Sequence, residues 1–134
     1  MSIDPKELIA KTPTQLFING KWVDSSSSET FDVENPATGE VIATVASATG
    51  DDAIKALDAA SDVQYEWSHT STRERSSILK KAFDLVQENS EELATLMTLE
   101  MGKPLAESRG EVTYGGEFLR WFSEEAVSYT HLRA

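Results

Sequence analysis

The 134 residues contain no cysteine and only two histidines. The first absence excludes a thiolate nucleophile, a disulfide framework and a thiolate metal site from these residues. The second leaves His69 and His131, far apart and outside any metal-ligand spacing, so solvated or incidental histidines explain them better than a metal does. There is no Gly-x-Ser-x-Gly elbow to support a serine nucleophile and no Gly-x-Gly-x-x-Gly dinucleotide fingerprint. Gly110 and Gly115 have the gap of a phosphate loop, but Gly116 and Glu117 stand where lysine and a hydroxyl residue are needed. Basic side chains are also scarce: 12 Lys and Arg face 23 Asp and Glu, a net charge of -11. That balance disfavours nucleic acid and anionic membranes as partners, since both are bound through a cationic footprint. No apolar run approaches the length of a membrane span, and Asp4 and Glu7 sit where a signal peptide would need basic residues. A soluble, cytoplasmic protein is expected.

What is present begins with residues 1–14, which mix charges with Pro5 and Pro13. They read as a mobile or loosely docked leader in which Leu8, Ile9 and Ala10 form at most a helical turn. Leu16 to Val23 then reads as two short strands joined by Asn19-Gly20, a dipeptide that accepts the positive φ angles of a type I′ turn. Ser25 to Ser28 reads as a flexible surface loop. A third strand is expected over Phe31 to Glu34 and a fourth over Val41 to Val45, separated by the turn-forming Asn35-Pro36-Ala37-Thr38-Gly39.

After Ala46 the period becomes helical. Thr49 with Asp52 approximates a capping box, and Ile54, Leu57, Ala60, Val63 and Trp67 recur at three or four residues. Ser71 with Glu74 repeats the cap before a second stripe of Ile78, Leu79, Ala82, Phe83, Leu85 and Val86. Asn89-Ser90 separates it from a third helix, whose first turn holds Glu91 and Glu92 and which Gly102 can close. Pro104 suits the first turn of a fourth, with Leu105, Val112, Gly115, Leu119, Phe122 and Ala126 on one face. Gly115 and Gly116 together cost about 2 kcal/mol of helix propensity relative to alanine, which suggests a close neighbour.

Acid/base chemistry finds little support. Asp51/Asp52, Glu91/Glu92 and Glu124/Glu125 are adjacent in helical stretches, so their side chains diverge by about 100°. Solvated faces or caps account for them. Glu107 and Glu111 share a face, but with Lys103 and Arg109 close in sequence a surface charge cluster is favoured over a proton-transfer pair. In Glu100-Met101-Gly102-Lys103-Pro104, a carboxylate before a glycine turn could bind a cation, while a plain helix-stop, helix-start corner is the favoured alternative.

Four segments together carry a family likeness: Leu16 to Trp22, Asn35 to Glu40, Arg73-Glu74-Arg75 opening a helix, and Thr98 to Leu105. In order and spacing they resemble the start of NAD(P)-dependent aldehyde dehydrogenases over residues 15–126. Leu105 to Tyr114, with Phe118 and Trp121 to Glu125, is most similar to the succinate-semialdehyde branch. The resemblance implies an α/β chain in which short antiparallel strands lead into a helical segment, an incomplete part of a Rossmann-like cofactor-binding domain. It implies a longer parent, a homo-oligomer, that oxidises an aldehyde to the acid with NAD or NADP as acceptor. In that family a cysteine attacks the aldehyde, an asparagine and a backbone amide hold the oxyanion, and a glutamate activates water. None of those groups can be assigned to a residue here, so these residues alone are expected to be inactive and to bind no dinucleotide.

Supporting roles are what the resemblance offers. Tyr114 and Phe118 would border the substrate tunnel, with ordinary core aromatics as the alternative. Glu100, with backbone carbonyls near Val33 and Glu34, resembles a structural monovalent-cation site. Residues 127–134 depart from the family pattern and are expected to be a foreign tail. A reading from another class is a non-enzymatic module that binds a partner through its apolar helix faces.

Overall fold

The computed structural model describes residues 3–128. Among them the order is α1 (Pro5–Lys11), β1 (Leu16–Ile18), β2 (Lys21–Val23), β3 (Thr30–Asn35), β4 (Glu40–Ala46), α2 (Gly50–His69), α3 (Thr72–Glu88), α4 (Ser90–Met101) and α5 (Leu105–Ser128). The expected mixed α/β organisation holds: antiparallel strand pairs lead into long helices. The leader does not fit that expectation, because α1 precedes the strands. Asp4 caps it by accepting from the Lys6 amide at 2.9 Å, Pro5 occupies its first turn, and Leu8 is buried at 2% exposure. Two helical turns anchored by an apolar side chain replace the anticipated loose segment.

The chain divides into two compact units: Asp4–Ser68 with Leu99–Gly102, and His69–Thr98 with Ile3 and the described residues from Lys103 onward. The first holds all four strands, in two separate antiparallel pairs, β1 with β2 and β3 with β4. At the tip of the first pair Asn19 has φ 51° and Gly20 φ 73°, and Ile18 pairs with Lys21. Both positive angles are what a two-residue primed turn demands. In the second pair Val33 opposes Ala43 and Glu34 opposes Val41, so Ile42 is an extra residue and the ladder bulges there. The connecting turn is closed by the Asn35 side chain, which accepts from the Ala37 amide at 3.0 Å, and by Gly39 at φ 72°. Main-chain bonds from Ala46 to Thr14 and from Ser47 to Glu29, both 2.9 Å, fasten the end of β4.

The serine run is not a free loop. Ser25 is 5% and Asp52 3% exposed. Asp52 Oδ2 accepts from the Thr49 amide at 3.0 Å and the Ser26 amide at 3.1 Å, and from the hydroxyls of Thr49, Ser26 and Ser25. The capping box at the start of α2 is thus real, since the Asp52 amide donates back to Thr49 Oγ1. Asp52 was expected to be a solvated or capping acid; it caps, and it also gathers the loop. The amides of Thr49 and then Ser26 hold its pKa far below the ordinary carboxylate range, against the opposing effect of burial.

In the helical unit, Ser71 Oγ accepts from the Glu74 amide and caps α3 as its spacing predicts. α5 starts at Leu105, with the Pro104 carbonyl accepting from Glu107 and Ser108, so Pro104 precedes the first turn. The inward stripe of α5 keeps Val112 as expected but takes Gly116 and Ser123 in place of Gly115 and Phe122. Ser108, Val112, Gly116 and Ser123 are buried, while Gly115 has open space around it and Phe122 is 56% exposed. A Cβ on Gly116 would lie 3.1 Å from Gln87, 3.5 Å from Val86 and 3.7 Å from Phe83. The close neighbour inferred from the glycine pair is therefore α3, met at Gly116 alone. Among the described residues α2 leaves Ile54, Leu57, Val63, Tyr65 and Trp67 each more than two-fifths exposed.

Candidate functional site

On α5, Tyr114 and Phe118 are one helical turn apart and meet edge to face, with ring centroids 5.0 Å apart and planes at 86°. Trp121 and Glu117 complete the walls of an open apolar hollow of about 190 Å³. Tyr114 is 68% and Phe118 49% exposed, so neither is a core aromatic among the described residues. Glu117 is drawn to the rim by Arg120, which donates to Glu117 Oε2 and also reaches Glu124 at 3.3 Å. The hollow offers ring faces and edges, which suits packing against a ligand or chain segment.

In the strand-bearing unit the expected cation residues fall at two irregularities. Val33 and Glu34 flank the bulge of the second strand pair. Glu100 is in the last turn of α4, which ends at Gly102 with φ 72°; a Cβ there would come 2.9 Å from the Pro36 ring. The end of α4 is thus seated on the β3–β4 turn, and only glycine fits. A carboxylate and main-chain carbonyls are hard oxygen donors, suited to an alkali or alkaline-earth ion and not to a soft metal. Among the described residues no three His, Cys, Asp or Glu side chains converge as a metal centre, and His131 lies outside them.

The same unit carries a larger cavity, of about 580 Å³, that the sequence reading missed. Lys6, Ile9, Asn35, Glu40, Ile42 and Leu99 are among its lining residues. The local signal for its α1 wall is Asp4 directly before Pro5, a helix start that the leader reading of residues 1–14 leaves out.

The charged residues of the α4–α5 segment pair as structural groups. Arg109 makes a two-pronged contact with Glu91, both bonds 2.8 Å, and the Glu91 carboxyl is held below its ordinary range by that hydrogen bond. Lys103, whose side chain is 13% exposed, has its Nζ 2.5 Å from Glu111 Oε2, without the angles of a directed hydrogen bond. Thr98 and Ser108 share a 2.8 Å hydroxyl contact. Glu111 therefore serves as counter-ion to an ammonium whose nitrogen is buried, while Arg109 turns to Glu91, so the residues expected to form one surface cluster fall into two separate pairs.

Antiparallel strand pairs, capped helices and an exposed aromatic hollow are what the described residues assemble. Comparison with known proteins says to which family they belong. The aldehyde dehydrogenase family model matches residues 22–133, and the chain belongs to that family. It is 63% identical over 87 residues to a succinate-semialdehyde dehydrogenase of Paenarthrobacter nicotinovorans, covering 65% of this chain and 19% of that enzyme. It is 46% identical over 112 residues to a glutarate-semialdehyde dehydrogenase of Pseudomonas putida, covering 84% and 23%. Among solved structures, an NADP-dependent enzyme of E. coli superposes with a TM-score of 0.82 at 43% identity, over 84% of this chain and 23% of that one. Betaine aldehyde dehydrogenase of Staphylococcus aureus, solved with NAD+, gives 0.85 at 33% identity, over 90% and 24%. The chain thus spans about a fifth to a quarter of the length of the relatives it matches.

Proposed function

We propose that this chain is the opening part of a cytoplasmic NAD(P)-dependent aldehyde dehydrogenase, a homo-oligomer that oxidises a carboxylate-bearing semialdehyde to the diacid. Succinate semialdehyde is the preferred substrate in this reading. The observation that carries it is the 63% identity over 87 residues to a succinate-semialdehyde dehydrogenase, beside 46% over a longer 112 residues to a glutarate-semialdehyde dehydrogenase. Within the reaction these residues supply framework. They have no cysteine to attack a carbonyl and no glycine-rich turn to cradle a pyrophosphate, so no residue here is assigned to the nucleotide.

Tyr114 and Phe118 take the role of tunnel wall in this reading, supported by their exposed edge-to-face pair. Glu100, with carbonyls near Val33 and Glu34, takes that of a monovalent-cation seat, supported by its oxygen donors and by the bulge. The test is steady-state kinetics of the full-length parent, followed by nicotinamide absorbance. A kcat/KM for succinate semialdehyde at least about tenfold above that for glutarate semialdehyde is expected, a difference of roughly 1.4 kcal/mol in transition-state binding. The reverse order would move the assignment to the longer substrate. Tyr114→Ala should raise KM with little change in kcat, as loss of packing does; an unchanged KM removes the tunnel role. A sodium titration that leaves the parent's Tm unmoved, and Glu100→Ala's likewise, removes the cation seat.

A further inference from the structure

The chain has three asparagines, and their surroundings differ in a way that bears on covalent stability. Asn35 precedes Pro36, whose nitrogen carries no proton, and its side chain is tied to the Ala37 amide. Asn89 precedes Ser90, and its side-chain nitrogen donates to the Leu85 carbonyl at 2.8 Å. Asn19 precedes Gly20 at an exposed hairpin tip, and among the described residues no hydrogen bond engages its side chain. The pairing of Ile18 with Lys21 leaves the Gly20 amide outside the strand ladder. Gly20 carries no side chain to crowd that nitrogen, and a Cβ built on it would find nothing within 4 Å. Each strand is three residues long, and so short a two-stranded ribbon opens readily.

We propose that Asn19 is a site of spontaneous succinimide formation, with water as co-reactant, which converts the hairpin tip to aspartyl and isoaspartyl forms. Hydroxide removes the Gly20 amide proton, and the nitrogen attacks Asn19 Cγ, forming a carbon–nitrogen bond. The side-chain nitrogen takes up a proton and leaves as ammonia, closing a five-membered imide. Water then adds to one of the two imide carbonyls. Cleavage at Cγ gives an aspartyl residue; cleavage at the main-chain carbonyl gives an isoaspartyl residue whose backbone runs through Cγ. No electrons are gained or lost. The aspartyl product can keep the primed turn. The isoaspartyl product inserts a methylene into the backbone and breaks the register that pairs Phe17 with Trp22, whose rings lie 5.0 Å apart.

The experiment ages the intact chain at neutral and mildly alkaline pH, then digests it and separates aspartyl from isoaspartyl peptides by mass spectrometry. Asn19 should convert at least about tenfold faster than Asn89, equivalent to roughly 1.4 kcal/mol in barrier height. The rate should rise with pH and Asn35 should stay intact. Gly20→Ala should slow conversion by about tenfold, because a methyl group then crowds the attacking nitrogen. That variant also strains a φ of 73°, so a free peptide of residues 16–23 supplies the second comparison. Conversion in the intact chain within about tenfold of the peptide supports the proposal. Conversion slower than that margin, or no faster than at Asn89, overturns it.

Discussion

In the strand-bearing unit five donors lie within 3.4 Å of one carboxylate oxygen, that of Asp52, whereas in the helical unit α5 meets α3 at Gly116, a residue with no side chain at all. The first arrangement is directional. The hydroxyls of Ser25, Ser26 and Thr49 also pair with other hydroxyls, but the amides of Ser26 and Thr49 share this acceptor, so its loss strands both together. The second depends on shape, and its energy varies with the volume placed between two helices. Among the described residues neither unit has a large apolar core: the buried hydrophobic side chains there are Leu8, Ala94 and Val112. Small polar contacts therefore weigh more here than in a domain with a thick interior.

Substitution at Asp52 should separate the two modes most sharply. Asp52→Ala removes the shared acceptor and leaves the amides of Thr49 and Ser26 without a partner, so it should give the largest loss of stability of the changes considered, read by urea unfolding with circular dichroism. The pH dependence follows from the sign of the shift. The carboxyl's pKa is depressed in the folded chain, so its contribution is complete above the ordinary aspartate range. It is lost as the pH falls through that range towards the lower folded value. Asp52→Asn should flatten this acid limb; an identical limb in variant and parent chain would show that the carboxylate does not couple to folding.

The helical unit should respond to volume. Gly116→Leu forces a branched side chain against Phe83, Val86 and Gln87 and should cost about 1–3 kcal/mol. Gly115→Ala meets no neighbour and should stabilise α5 by up to about 1 kcal/mol through helix propensity. Equal effects at the two glycines would mean that α5 does not dock on α3 at Gly116.

How far the sequence disclosed this depended on whether the signal was local. The Asn19-Gly20 turn, the Ser71 cap and the Gly102 stop each follow from a few neighbouring residues, and each stands where expected. The hold of Asp52 on Ser25 and Ser26 spans more than twenty positions, so a serine run could only be read as a loop. The buried face of α5 departs from expectation for a related reason: either glycine allows close approach, and only the position of α3 selects Gly116. At the candidate site, Tyr114 and Phe118 are suggested by resemblance, and their one-turn spacing accounts for the ring contact, while the cavity beside α1 requires that Pro5–Lys11 be helical. The cation residues were suggested by resemblance, because no local pattern marks a bulge that pairs β3 with β4.

The smallest effect should come from the contact that looks strongest. Arg109 grips Glu91 with two 2.8 Å bonds, yet the two side chains are 51% and 54% exposed. Water competes for both charges, and ordering two long side chains costs conformational freedom, so the paired geometry exceeds its net effect. Glu91 also lies in the first turn of α4, where a negative charge favours the helix end whether or not Arg109 is present. Glu91→Gln should therefore destabilise slightly more than Arg109→Gln, and the coupling in a double-mutant cycle should vanish near about 1 M salt, where screening acts within about 3 Å. A coupling that survives that salt would place this pair with Asp52, among the polar contacts that solvent does not reach.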